Sequence, residues 1–133
     1  MDSFQEAMTE YREQLKKGTI QKAYRGLMEY LMVLRTYFMN KYPESFVSGS
    51  LYHGYMDMTY FSFIPESIKN LKLKPVIVFV HEAFRFDVWL AATNKQVQEK
   101  YWKLFKENGW DKYRLVPDTK GCDAILEIGR AHV

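Results

Sequence analysis

The chain has 133 residues, of which 47% are hydrophobic and 17% aromatic, and it carries a net charge of +3 at neutral pH. That length suits one domain able to bury about two-thirds of its unfolded surface without staples. A charge this mild with no basic block does not on its own argue for nucleic acid, and a single cysteine, Cys122, rules out an internal disulfide or a CxxC metal site.

In the first segment Phe4, Met8, Tyr11 and Leu15 fall at helical spacing. Ser3 with Glu6 suggests a capping box, and Gly18 a stop. Thr19 then opens a second helix to about Tyr42, with Ile20, Tyr24, Leu27, Met28, Leu31, Leu34 and Phe38 in period and Pro43 as terminator. Gly26 inside it suggests close approach of another backbone. The short Gly18–Thr19 link favours an antiparallel helical hairpin.

Ser48-Gly49-Ser50 reads as a loop before a long first strand, LYHGYMDMTYFSF, residues 51–63. Pro65 to Leu71 reads as a turn or short helix. Val76–His81 and Arg85–Ala91 read as two strands joined by a hairpin through Glu82-Ala83. Thr93 with Gln96 marks a second capping box. The helix that follows should bury Val97, Tyr101, Leu104 and Phe105 and end at Asn108-Gly109. Tyr113–Val116 reads as a short strand, Pro117–Gly121 as a turn and Cys122–Glu127 as the start of a closing helix. The expected class is therefore α+β, an N-terminal helical hairpin on a small, largely antiparallel sheet.

The last six residues, Ile-Gly-Arg-Ala-His-Val, read as the translation of a common short-read sequencing adapter in one frame. The expected domain is thus residues 1–127, cut short at its C-terminus, with 128–133 set aside and Arg130 and His132 given no functional weight. The polar, amphipathic start has no signal-peptide core, and no apolar run nears the roughly 20 residues that span a bilayer. A cytoplasmic protein with no membrane partner is expected.

Polar groups inside strand-like runs cost a few kcal/mol unless paired, so each needs a reason. Strict alternation puts His53, Tyr55, Asp57, Thr59 and Phe61 on one face of the first strand, and Arg85, Asp87 and Trp89 on one face of the third. If the strands are neighbours, Tyr55, Asp57, Arg85, Asp87 and Trp89 converge on one ligand-binding face, joined by His53 and His81. Two readings stay open. Arg85 with Asp57 or Asp87 is a register-fixing ion pair, or the two acids and a histidine hold Mg, Mn or Zn. Lys95, Lys100, Lys103 and Lys106 read as the solvated face of one helix, so nucleic acid is not the expected partner. GxSxG, P-loop, GxGxxG and HExxH patterns are absent, and the chain implies no particular catalytic residue or cofactor.

The blocks LMEYLMVLRTYFMNKYP, GYMDMTYFSF and FRFDVWLAATNKQVQEKYWKLFKENGW resemble, in that order, an uncharacterised family of small bacterial proteins, domain of unknown function 7000. The resemblance covers nearly all of residues 1–127 and implies a chain that continues past Glu127, but it supplies no activity, ligand or site. The order helix–strand–strand–strand–helix–strand also resembles restriction-endonuclease-like cores. Those enzymes place an acid-x-Lys pair on the strand where this chain has Asp87-Val88-Trp89. The leading expectation is a binding or interaction module for a small molecule or protein, with a polar, aromatic groove on its sheet; the alternative is a degenerate metal-dependent hydrolase or nuclease.

Overall fold

The computed structural model describes residues 2–109, 114–117, 119 and 124–132. The chain divides into two compact units, Met1–Leu34 and Arg35–Val133.

The first unit begins with α1, Ser3–Lys17, and continues into α2, Thr19–Lys41, which runs past the boundary between the units. The start of α1 is capped one residue earlier than the Ser3–Glu6 pattern suggested: Asp2 Oδ1 accepts from Gln5 N–H at 2.8 Å. Gly18, at φ 75°, closes the helix, its N–H donating to Leu15 O. The periodic stripe of α1 is exposed at Phe4, Met8 and Tyr11 and half-buried at Leu15, and none of its residues is fully buried. In α2, Leu31 is buried. Among the described residues a Cβ on Gly26 would meet nothing within 4 Å, so none of their backbone makes the close approach expected there.

The second unit is built on an antiparallel sheet that, among the described residues, has seven strands: β1 Phe46–Val47, β2 Tyr52–His53, β3 Met58–Ile64, β4 Leu73–Val80, β5 Arg85–Ala92, β6 Arg114–Leu115 and β7 Ala124–His132. Their order is β1-β3-β4-β5-β7-β6, with β2 also on β3. A 3-10 turn, Glu66–Leu71, links β3 to β4, as the Pro65–Leu71 pattern predicted. Helix α3, Lys95–Glu107, is capped by Asn94, whose Oδ1 accepts from Val97 N–H at 2.9 Å, and not by Thr93. The α+β class and the run of N-terminal helices, antiparallel strands and a later helix agree with the expectation.

Register sorts the sheet into two faces. Thr59, Phe61, Phe79, Ile77, Phe86, Val88, Leu90 and Leu126 share one. Val97, Tyr101, Trp102 and Phe105 of α3 pack there around Leu73, Leu90, Ile125 and Leu126, and Phe38 and Tyr42 of α2 pack on Phe61 and Phe63. Leu104, expected in this core, is 46% exposed. Gln98, in the first turn of α3, is buried and donates from Nε2 to Ala124 O at 3.0 Å. Trp102 Nε1 donates to Val116 O at 2.8 Å, anchoring the segment around β6. The opposite face carries Tyr60, Ser62, Val76, Val78, Arg85, Asp87 and Trp89.

Two strand assignments need correction. The closing element expected as a helix is β7, with Ala124, Ile125 and Leu126 all buried. A short apolar run buried on both faces has no period that separates helix from strand. Residues 128–132, set aside on sequence grounds, extend β7 along β5, pairing Gly129 with Val88 and His132 with Arg85. Cys122 lies outside the described residues.

The second correction concerns the long first strand, which is broken. Residues 54–57 turn the chain back on itself, so β2 and β3 form a hairpin with Tyr52 opposite Tyr60 and His53 opposite Thr59.

Candidate functional site

Asp87 sits in the middle of β5, 1% exposed. A carboxylate there needs donors, because burial without them would cost several kcal/mol. The strand's alternation supplies two, at i−2 and i+2 on the same face. Arg85 donates through Nε to Oδ1 at 2.7 Å and through Nη2 to Oδ2 at 3.3 Å, and Trp89 Nε1 donates to Oδ2 at 3.0 Å. Both carboxylate oxygens are occupied, and no buried side-chain polar atom among the described residues lacks a partner. The Arg85 side chain is 20% exposed, and its pKa is raised above the ordinary arginine value by the Asp87 hydrogen bond first, with Asp87 and Glu127 charges adding. Glu127, opposite Trp89 on β7, also meets Arg114 at 3.7 Å.

Along the same face, Tyr60 follows Val78 in the row that begins at Asp87. The Tyr60 ring stacks on Tyr52 with centroids 4.7 Å apart. The face therefore presents a cation held by a buried acid, an indole pinned by the same acid and a stacked tyrosine pair.

The other acid has a different role. Asp57 closes the β2–β3 turn: its Oδ1 accepts from Tyr55 N–H at 2.9 Å and Met58 N–H at 2.8 Å. Those bonds, Met58 N–H foremost, hold its carboxyl below the usual carboxylate range, with a smaller contribution from the charge of His81. Gly54 is obligatory here, since a Cβ would lie 2.2 Å from Asp57 Oδ1 and 2.7 Å from Met58 O. His81 N–H donates to Asp57 O at 2.9 Å, tying this turn to the β4–β5 turn, and the His81 ring Nε2 lies 3.0 Å from Thr59 Oγ1. Burial lowers the His81 pKa, and the Asp57 charge opposes that shift.

The structure thus brings together Arg85, Asp87 and Trp89 and leaves Tyr55 and Asp57 outside. Tyr55 is 98% exposed at the turn. Asp57 is three residues beyond Tyr60 and two strands from Asp87, an α-carbon separation of about 14 Å from strand rise and spacing. One metal ion needs its oxygen ligands within roughly 2.6 Å, so these two carboxylates do not share one. Among the described residues no three His, Cys, Asp or Glu side chains are placed to hold a metal. The arrangement on which the nuclease analogy rests is therefore not formed by Asp57 and Asp87. What misled the alternation argument was Gly54, which marks a turn inside an otherwise strand-like run.

The protein is an α+β chain with an antiparallel sheet and a buried acid–cation–indole cluster, and no helix among its described residues is long and apolar enough to cross a membrane. Residues 4–130 match the family model DUF7000, a domain of unknown function, and the chain belongs to that family. Neither a curated protein nor a solved structure matches it.

Proposed function

We propose that the protein is a bacterial cytoplasmic binding module that takes a small molecule or a partner on the sheet face bearing Tyr60, Arg85 and Trp89. One observation carries this reading. A single buried carboxylate, Asp87, orients both a partly exposed guanidinium and an indole beside the stacked Tyr52–Tyr60 pair. Side chains held in place before binding lose little conformational entropy when they engage, and Arg, Trp and Tyr are the types that dominate binding energy. Arg85 and Trp89 are the contacts in this reading, and Asp87 positions them. A bacterial origin follows the family resemblance, and a cytoplasmic location accords with the lone cysteine.

The test is a thermal-unfolding screen of the wild-type chain against a panel of metabolites, repeated with Arg85→Gln and Trp89→Phe. Occupancy at about 100 times the dissociation constant adds about 2.7 kcal/mol to native-state stability. A compound that stabilises the wild type and loses its effect in both variants supports the reading. Compounds that stabilise all three chains equally bind elsewhere and overturn it, as does a panel without any stabiliser.

A further inference from the structure

Resting on the binding reading above, we infer that the ligand is a small aromatic acid, its oxyanion on the outer edge of Arg85 and its ring on Trp89. A guanidinium carries five N–H donors and no acceptor. Arg85 gives two of its donors, Nε–H and one N–H of Nη2, to the two oxygens of Asp87. Nη1 makes no hydrogen bond among the described residues. No buried side-chain polar atom among them lacks a partner, so solvent reaches Nη1. The Nη1–Nη2 edge is therefore a two-pronged donor open to a ligand. It is held in one orientation, because the other edge is clamped by a carboxylate that is itself 1% exposed.

The acids of the cluster offer nothing in return. Both Asp87 oxygens are bonded and out of reach, and Glu127, whose charge also acts on Arg85, is engaged by Arg114. Two arginines and two acids leave the group neutral, so an oxyanion meets no net repulsion, whereas a cation would face the guanidinium directly. Trp89 selects the rest of the ligand. Its one donor, Nε1–H, is already given to Asp87 Oδ2, and an indole accepts no hydrogen bond. What the half-buried Trp89 presents is ring surface, and Tyr52, 51% exposed and stacked on Tyr60, adds more on the same face. Arg85 Nη2 and Trp89 Nε1 meet at one oxygen, so a single small molecule spans the donor edge and the indole.

The experiment is a heteronuclear NMR titration of the full chain that reads the Trp89 indole N–H resonance, assigned by its loss in Trp89→Phe. The probes are benzoate, phenyl phosphate, acetate, benzyl alcohol and benzylamine, taken to about 50 mM because ligands this small bind in roughly the millimolar range. Benzoate or phenyl phosphate should move the resonance saturably, and the tighter of the two identifies the oxyanion as carboxylate or phosphate. Acetate, benzyl alcohol and benzylamine should each bind about tenfold more weakly than the tighter aromatic anion. Arg85→Lys, which keeps the charge and loses the fork, should weaken that anion by about tenfold as well. The ranking of probes is measured on the wild type, so it stands even where a variant fails to fold. Benzyl alcohol or benzylamine matching the aromatic anions overturns the inference, as does acetate matching benzoate. So does a resonance that no probe moves, or anion affinity that a folded Arg85→Lys chain leaves unchanged. The binding reading itself fails differently. A metabolite that stabilises the chain through Arg85 and Trp89 without carrying an oxyanion overturns only the aromatic-acid assignment, whereas a thermal screen without any stabiliser overturns the reading beneath it.

Discussion

Asp57 and Asp87 lie in neighbouring hairpins of one sheet and satisfy their carboxylates in opposite ways. Asp87 is sealed inside β5 and takes its hydrogen bonds from side chains, Arg85 and Trp89. Asp57 is exposed at a turn and takes them from backbone N–H groups of Tyr55 and Met58. The difference teaches how burial sets the consequences of a carboxylate. In the interior every lone pair must be matched by a dedicated donor, and the donors become organised by the acid. At the surface the acid organises the backbone, and water supplies whatever remains.

Substitutions separate the two regions by size of effect. Asp87→Ala should have the largest, a loss of about 3 kcal/mol in urea unfolding, because it removes the charged acceptor that a partly exposed guanidinium and an indole N–H share. A loss under about 1 kcal/mol would mean that water replaces the carboxylate and the cluster is looser than its distances indicate. Gly54→Ala comes next, at about 1–3 kcal/mol, since its new methyl meets both Asp57 Oδ1 and a main-chain oxygen that cannot swing away. Trp89→Phe should cost about 1 kcal/mol, one hydrogen bond from an acid that keeps its Arg85 contacts. If it equals Asp87→Ala, the indole and not the guanidinium is the principal partner.

The smallest effect is the pH response of the turn. Burial lowers the folded-state pKa of His81 below its ordinary 6.5. In the window between that depressed value and 6.5 the unfolded chain binds more protons, so stability is full above 6.5 and declines as pH falls through the window. Asp57 contributes at lower pH. Its depressed pKa gives stability that is present above 3.8 and lost as pH falls through the folded value. Asp57→Asn should therefore lower the His81 pKa further, by removing the Asp57 charge that raises it, as followed by NMR titration of the imidazole. An unchanged His81 titration in that variant would show that the two turns are joined by the His81 N–H bond to Asp57 O alone.

Much of this architecture was legible in local sequence. Gly18, Pro43, the Pro65–Leu71 stretch and Asn108-Gly109 punctuate the chain where its helices and turns begin or end. These signals act through dihedral preference and missing donors, both properties of a residue and its immediate neighbours. The Arg85–Asp87–Trp89 grouping was visible for the same reason, because alternate residues of one strand share a face whatever the partner strands do. Its membership beyond β5 was not. Alternation carried through Gly54 placed Tyr55 and Asp57 with Asp87, whereas the turn ends that alternation and sends Asp57 to the end of the sheet. Asn94 and Asp2 likewise replaced the expected caps, a choice of one residue that depends on where the preceding chain emerges.

What the sequence determined by itself was the α+β class, the two N-terminal helices, the helix after β5, and a strand whose own periodicity collects an acid, a cation and an indole. Only the tertiary structure decided that Ala124–His132 is a strand between β5 and β6, and that Tyr60, Val78 and Asp87 share a face. The physical reason is that strand pairing and burial are non-local. Ile125 and Leu126 are strand residues because β5 lies on one side, β6 on the other and α3 against them, and nothing in their own neighbourhood specifies those partners.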